Sequence, residues 1–155
     1  MTPPRLSLAA MLIAVTNLIP SLAVLRGSMR LCDRDFMRDA TPQDIQAEIN
    51  KGANVRGRDK DGFTPLHGAA GLGNAETITT LIKAGADIEA KAEDGDTLLH
   101  MAALSGRAEA ITVLIEAGAN GKAKDKDGRT PFDYAKHNEK LKDTDAYRLL
   151  KAAQY

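Results

Sequence analysis

Apolar residues along the chain fall into short clusters at helical spacing, and the clusters themselves recur. Ile78, Leu81 and Ile82 stand at i, i+3 and i+4, and Ile111, Leu114 and Ile115 repeat that arrangement. Each set predicts one apolar stripe on a short helix, about residues 75–84 in the first case. Ahead of that stripe lies a shorter segment that opens at Thr64 and Pro65. Threonine is a good N-cap whose hydroxyl accepts an orphan backbone N–H, and proline fits the first helical position because its missing N–H costs nothing there. Small residues at Ala69 and Ala70 allow the second helix to approach closely, and Gly73-Asn74 reverses the chain between the two. Gly85 supplies the left-handed residue that ends the second helix, and residues 86–95 form a connecting loop or hairpin with Asp94-Gly95 at its turn. Helices this short are marginal in water, so a unit of two must bury its stripe by stacking on neighbouring units.

The period of these units is 33. Thr64, Thr97 and Thr130 are 33 apart, and so are Gly52, Gly85 and Gly118. Residues 59–91 laid over 92–124 are identical at 19 of 33 positions, including His67/His100, Ala69/Ala102, Ala70/Ala103 and Leu81/Leu114. The strings DGFTPLHGAAGLGNAETITTLIKAGAD and DGDTLLHMAALSGRAEAITVLIEAGAN resemble the ankyrin repeat in both period and T-P-L-H-x-A signature. The resemblance spans about residues 31–155. It implies an all-α ankyrin-repeat solenoid of helix-turn-helix units joined by hairpin loops, about four repeats with modified ends: 31–58 as the N-terminal cap, 59–91, 92–124, and 125–155 as the C-terminal cap.

Both ends depart from the signature. In the first unit, Thr41-Pro42 opens a helix through Lys51 that carries Ile45 and Ile49 and closes at Gly52. The charged residues 33–38 ahead of it read as a solvent-facing cap. The last unit keeps Thr130 and Pro131 but has Asp133 where histidine is expected. Two residues are inserted around 139–143, because Ala146, Leu149 and Leu150 follow Ile111, Leu114 and Ile115 at a spacing of 35. A closing helix over about residues 144–154 is expected.

Composition adds a second, unlike part. The 155 residues carry 21 Lys+Arg against 21 Asp+Glu, but residues 1–32 contain Arg5, Arg26 and Arg30 and no acid. Residues 6–19 are almost continuously apolar and are followed by Pro20-Ser21-Leu22-Ala23. That order matches a secretory signal peptide over residues 1–23, with small residues at −3 and −1 if cleavage follows Ala23. The expectation is an exported protein, periplasmic or secreted, whose mature chain has a net charge of −1. The alternative is a membrane anchor over residues 6–25.

The same composition narrows the chemistry. Zero net charge lacks the basic footprint of a nucleic-acid binder. One Cys, Cys32, and three His cannot build a thiolate zinc cage. Asp59-Lys60-Asp61-Gly62 and Asp125-Lys126-Asp127-Gly128 place glycine at the fourth position instead of the sixth that an EF-hand loop needs, and so read as hairpin turns. With no phosphate loop, paired carboxylates or nucleophile elbow, the chain reads as non-enzymatic, without metal or cofactor.

The resemblance assigns structural duty to Thr64, Pro65, Leu66, His67 and Gly85, to Thr97, Leu99, His100 and Gly118, and to Thr130 and Pro131. In the family the histidine bonds near the threonine cap and ties neighbouring loops together. The resemblance also implies a monomeric module that binds a protein through its hairpin tips and the concave groove of its first helices. The family's variable positions fall here on Lys60, Asp61, Phe63, Gly71 and Leu72, then on Lys91, Glu93, Asp96, Leu104 and Ser105, then on Lys124, Lys126, Arg129, His137 and Asn138. Phe63 and Leu72, with Leu104 and Met101 behind, are the candidate apolar anchors; the alternative for each is ordinary inter-repeat packing, which is the favoured reading of Met101. Two other roles fit the same layout: an accessory or inhibitor protecting an envelope enzyme, and a membrane-anchored scaffold.

Overall fold

The structure is a computed structural model that describes residues 30–72 and 74–155. The expected signal segment 1–23, its anchor alternative 6–25 and Gly73 of the expected reversal lie outside the described residues. Among the described residues eight helices follow in order: α1 (Arg34–Asp39), α2 (Pro42–Asn50), α3 (Pro65–Leu72), α4 (Ala75–Lys83), α5 (Leu98–Ser105), α6 (Ala108–Glu116), α7 (Pro131–Ala135) and α8 (Asp145–Ala152). Helices α1, α3, α5 and α7 pack in sequence as an inner layer, and α2, α4, α6 and α8 pack in sequence as an outer one. The all-α repeat solenoid expected from the sequence is the fold observed. No helix of the described residues is long and apolar enough to cross a membrane.

The core is the seam between the layers. Leu66, Ala70, Ile78 and Leu81 are fully buried in one repeat, and Leu98, Ala103, Ile111 and Leu114 in the next. Alanine contacts set how closely the inner and outer helices approach, which is how a chain with 4% aromatic residues builds a continuous interior. Gly85 and Gly118 take φ of +89° and +96° just past α4 and α6. An L side chain is strained in that region, so the repeat keeps glycine there.

The ends add detail to what the sequence predicts. Residues 33–38 do more than face solvent: Asp33 caps α1, and Met37 on that helix is 1% exposed against the array. The helix is amphipathic over barely two turns, with Arg34, Asp35 and Arg38 outward. At the other end the insertion carries Leu141 into the core at 0% exposure. The chain folds back there through Asp143, whose φ is +64°. The threonine caps are of two kinds. At Thr97 the hydroxyl makes no bond to a helix N–H, and His100 on the first turn reaches back to it instead. Thr41 and Thr130 do accept from Asp44 and Asp133 N–H, at 3.2 and 3.4 Å.

Candidate functional site

The site begins with what holds the tips in register. His67 Nδ1 accepts from Thr64 N–H at 3.1 Å and lies 2.9 Å from its hydroxyl, while Nε2 faces the carbonyl of Asp96 at 3.3 Å. His100 repeats this with Thr97 at 3.1 and 2.9 Å and with the Arg129 carbonyl at 2.9 Å. An amide N–H can only donate and a carbonyl only accept, so both rings carry their proton on Nε2. Each histidine therefore bonds its own repeat to the next. Burial pushes the pKa of His67 down, against the smaller opposing effect of its bond to the Asp96 backbone. Asp133, at the equivalent position of the last described unit, bonds within that unit. Its carboxylate takes only the capping half of the duty, accepting from Thr130 N–H at 2.8 Å, and the Lys136 ammonium beside it holds its pKa well below the usual carboxylate range.

The D-K-D-G strings expected to form hairpin turns do build the tips. Asp59 Oδ1 accepts from the backbone N–H of Asp61 and Phe63 at 2.9 and 2.8 Å, and Asp125 Oδ1 accepts from Asp127 and Arg129 at 2.9 Å each. Those aspartates are turn formers, which accounts for their recurrence in the D-K-D-G strings. Adjacent tips join through Glu93 N–H to Asp61 O at 3.1 Å and Lys126 N–H to Asp94 O at 2.9 Å. Gly95 has φ +86°, and a Cβ there would lie 3.0 Å from Lys126 N, so the close approach of tips depends on it.

On this frame Lys60, Asp61, Lys91, Glu93, Lys124, Lys126 and Arg129 are exposed at the tips. Lys91 Nζ leans on the Lys124 carbonyl at 3.4 Å. Along the inner helices Leu104 is 55% exposed and His137 is exposed, with Leu72, Ser105, Met101 and Asn138 half-buried. Asn138 is tied down, its amide donating to the carbonyls of Ala103 and Leu104 at 3.0 Å each. Phe63 lies edge-on to the His67 ring with centroids 5.5 Å apart, and the Arg34 guanidinium sits 6.0 Å above it.

One predicted contact residue needs correction, and a second carries a structural role as well. Asp96 is only 8% exposed, and its Oδ1 is buried without a hydrogen-bond partner. Burial, and then the neighbouring Asp94, push its carboxyl pKa up. Arg129 reaches solvent but is also structural: its Nε donates to Asp125 Oδ2 at 3.0 Å, it pairs with Asp127, and it stacks 4.8 Å from the Tyr134 ring centre. Tyr134 donates to the same Asp125 oxygen at 2.7 Å. Burial alone would raise the pKa of Asp125, but these donors win and hold it at about 2.

Ligand atoms of Asp96, His100 and Asp125 lie within 4.8 Å of one another. The donor set does not suit a cation. Both nitrogens of His100 and both oxygens of Asp125 are already bonded, and the Arg129 guanidinium supplies the compensating charge. Cys32 is half-buried with Sγ 3.9 Å from Gly57 O, and burial pushes its thiol pKa up, away from the reactive thiolate.

Layered helix pairs, histidine ties and glycine-closed tips define a helical repeat solenoid. The family model of the ankyrin repeat matches residues 61–93, and that of ankyrin repeats in many copies matches residues 81–135. Together the two matches cover residues 61–135, so this part of the chain is built of ankyrin repeats. A search of curated proteins finds no match to it. Ankyrin repeats generally mediate protein–protein interaction.

Proposed function

We infer that this chain is a non-catalytic protein-binding module, exported by its N-terminal segment, that engages one protein partner through the inner-helix face and the adjoining tips. The observation that carries the reading is the inner face itself. Helix α5 spends its buried positions Leu98, Leu99, Ala102 and Ala103 on the stack, yet leaves Leu104 at 55% exposure next to half-buried Met101 and Ser105. Apolar side chains kept at the surface of a rigid scaffold suit an interface. Export is supported by the basic, acid-free order of residues 1–23.

Capture by the tagged full chain in its native host tests the face. Leu104→Asp and Lys126→Glu lose a co-purifying protein that Glu116→Lys, on the outer layer, retains; equal capture by all three counts against the reading. Arg129→Glu is unsuitable, since it would set a carboxylate against Asp125 and disturb the array. Amino-terminal sequencing of the native protein tests export, with a start at Val24 expected and a start at Met1 refuting cleavage.

A further inference from the structure

The inner face is not uniform along the array. Successive repeats place Gly68, Met101 and Tyr134 at one inner-helix position, and Gly71, Leu104 and His137 at another. The face is therefore filled toward the C-terminal end and notched at α3. The notch is a groove of about 220 Å³ floored by Gly68 and Gly71. Met37 of α1 and Met101 of α5 flank it, and Phe63 and Leu72 are among the other residues that line it. That volume exceeds the roughly 150 Å³ of an apolar cavity that accepts benzene, so it takes one Leu, Met or Phe side chain.

Neither glycine is there for the backbone. Neither has a φ in the left-handed region. A Cβ at Gly68 would meet only Met37 Cγ at 3.8 Å, and one at Gly71 only Met101 Cε at 3.7 Å and Ser105 Oγ at 3.8 Å. These are ordinary contacts, so alanine would fit both sites and strengthen an eight-residue helix. What the glycines do is keep the groove open, between two methionines whose flexible thioethers adapt to an incoming group.

The charges at its mouth select the occupant. Arg34 and Arg38 are exposed on α1; Arg38 pairs with Asp35 at 3.2 Å, and no ion pair of Arg34 occurs among the described residues. Asp59 also lines the groove, but one of its oxygens is engaged by two backbone N–H groups of its own turn. The chain's own leader has the wrong sign, since residues 1–32 contain three arginines and no acid. We propose that this notch is the anchor pocket for a partner segment that inserts one apolar side chain between Met37 and Met101 and sets an adjacent Asp or Glu against Arg34. The proposal rests on the protein-binding reading above and names its partner's chemistry.

The test is selection of a displayed library of random peptides on the immobilised full chain, followed by affinity measurement on variants. Enriched peptides are expected to carry Leu, Met or Phe within a residue or two of Asp or Glu. Their affinity is expected to fall on the order of tenfold or more with Gly71→Leu and with Arg34→Glu, and to be unchanged with Glu116→Lys on the outer layer. Gly71→Ala, which fills less of the groove, gives an intermediate loss and shows that the effect follows volume. Circular dichroism on both variants separates filling from misfolding. Peptides insensitive to Gly71→Leu but lost with Leu104→Asp would overturn the notch and leave the binding-module reading standing. Basic peptides, self-association of the chain that Gly71→Leu abolishes, or no peptide sensitive to any inner-face variant would overturn the proposal.

Discussion

Replacing both notch glycines by alanine tests whether α3 gives up stability to keep its groove. Gly68 sits mid-helix and Gly71 one residue from the end of α3, where propensity counts for less. Glycine costs about 0.8–1.0 kcal/mol relative to alanine in a helix interior, and the nearest contacts of 3.7 and 3.8 Å add no clash. Gly68→Ala/Gly71→Ala is therefore expected to gain about 1–2 kcal/mol. With an unfolding entropy of about 2.1 cal/mol/K per residue over an array of roughly 126 residues, that gain raises Tm by about 4–8 °C. Differential scanning calorimetry and urea melts on the same preparation measure both quantities. An unchanged or lowered Tm would mean that the glycines are needed for packing, and the argument that they exist to keep the groove open would fail with it.

Further outcomes follow from the buried polar groups. His100→Ala strands Thr97 N–H and removes a bond to the Arg129 carbonyl besides leaving a cavity, so urea denaturation should show a loss of about 3–5 kcal/mol. Asp133→Ala removes a local cap and should cost only about 1 kcal/mol. The carboxyl of Asp96 is more easily protonated folded than unfolded, so wild-type stability falls as pH rises from the ordinary value of 3.8 through its raised one. Asp96→Asn should abolish that slope and add about 1 kcal/mol at neutral pH, as read from guanidinium melts across pH; an unaltered slope would refute the assignment. His67 behaves oppositely: its imidazole accepts from Thr64, so protonation is resisted in the fold and stability declines as pH drops below about 6.5. A His67 variant should lose that decline in the same melts.

The parts of the fold legible in the sequence are those whose bonds are local or repeat in a fixed register. Thr64, His67 and Gly85 each act within one repeat or on the same atom of the next, so a 33-residue period announces them. Helix α1 was not legible, because four of its six residues are charged and its burial depends on one side chain, Met37. Leu141 stands in a charged insertion with no periodic neighbour, and only the fold-back at Asp143 delivers it to the core. The tip residue Asp96 shares its position with Phe63 and Arg129, both more exposed; its burial comes from the following repeat, which sets Asp125 beside it. The notch likewise depends on where α1 packs. Gly71 reads in the sequence as a variable position, but nothing local marks it or Gly68 as the floor of a groove.

The most direct test of the binding face is site-specific photocrosslinking of the full chain in its native cell. A photoreactive phenylalanine derivative is placed at Leu104 on the inner layer or at Glu116 on the outer one. The account predicts a covalent adduct with a second protein from position 104 and none from 116. Adducts from 116 with none from 104 would contradict it.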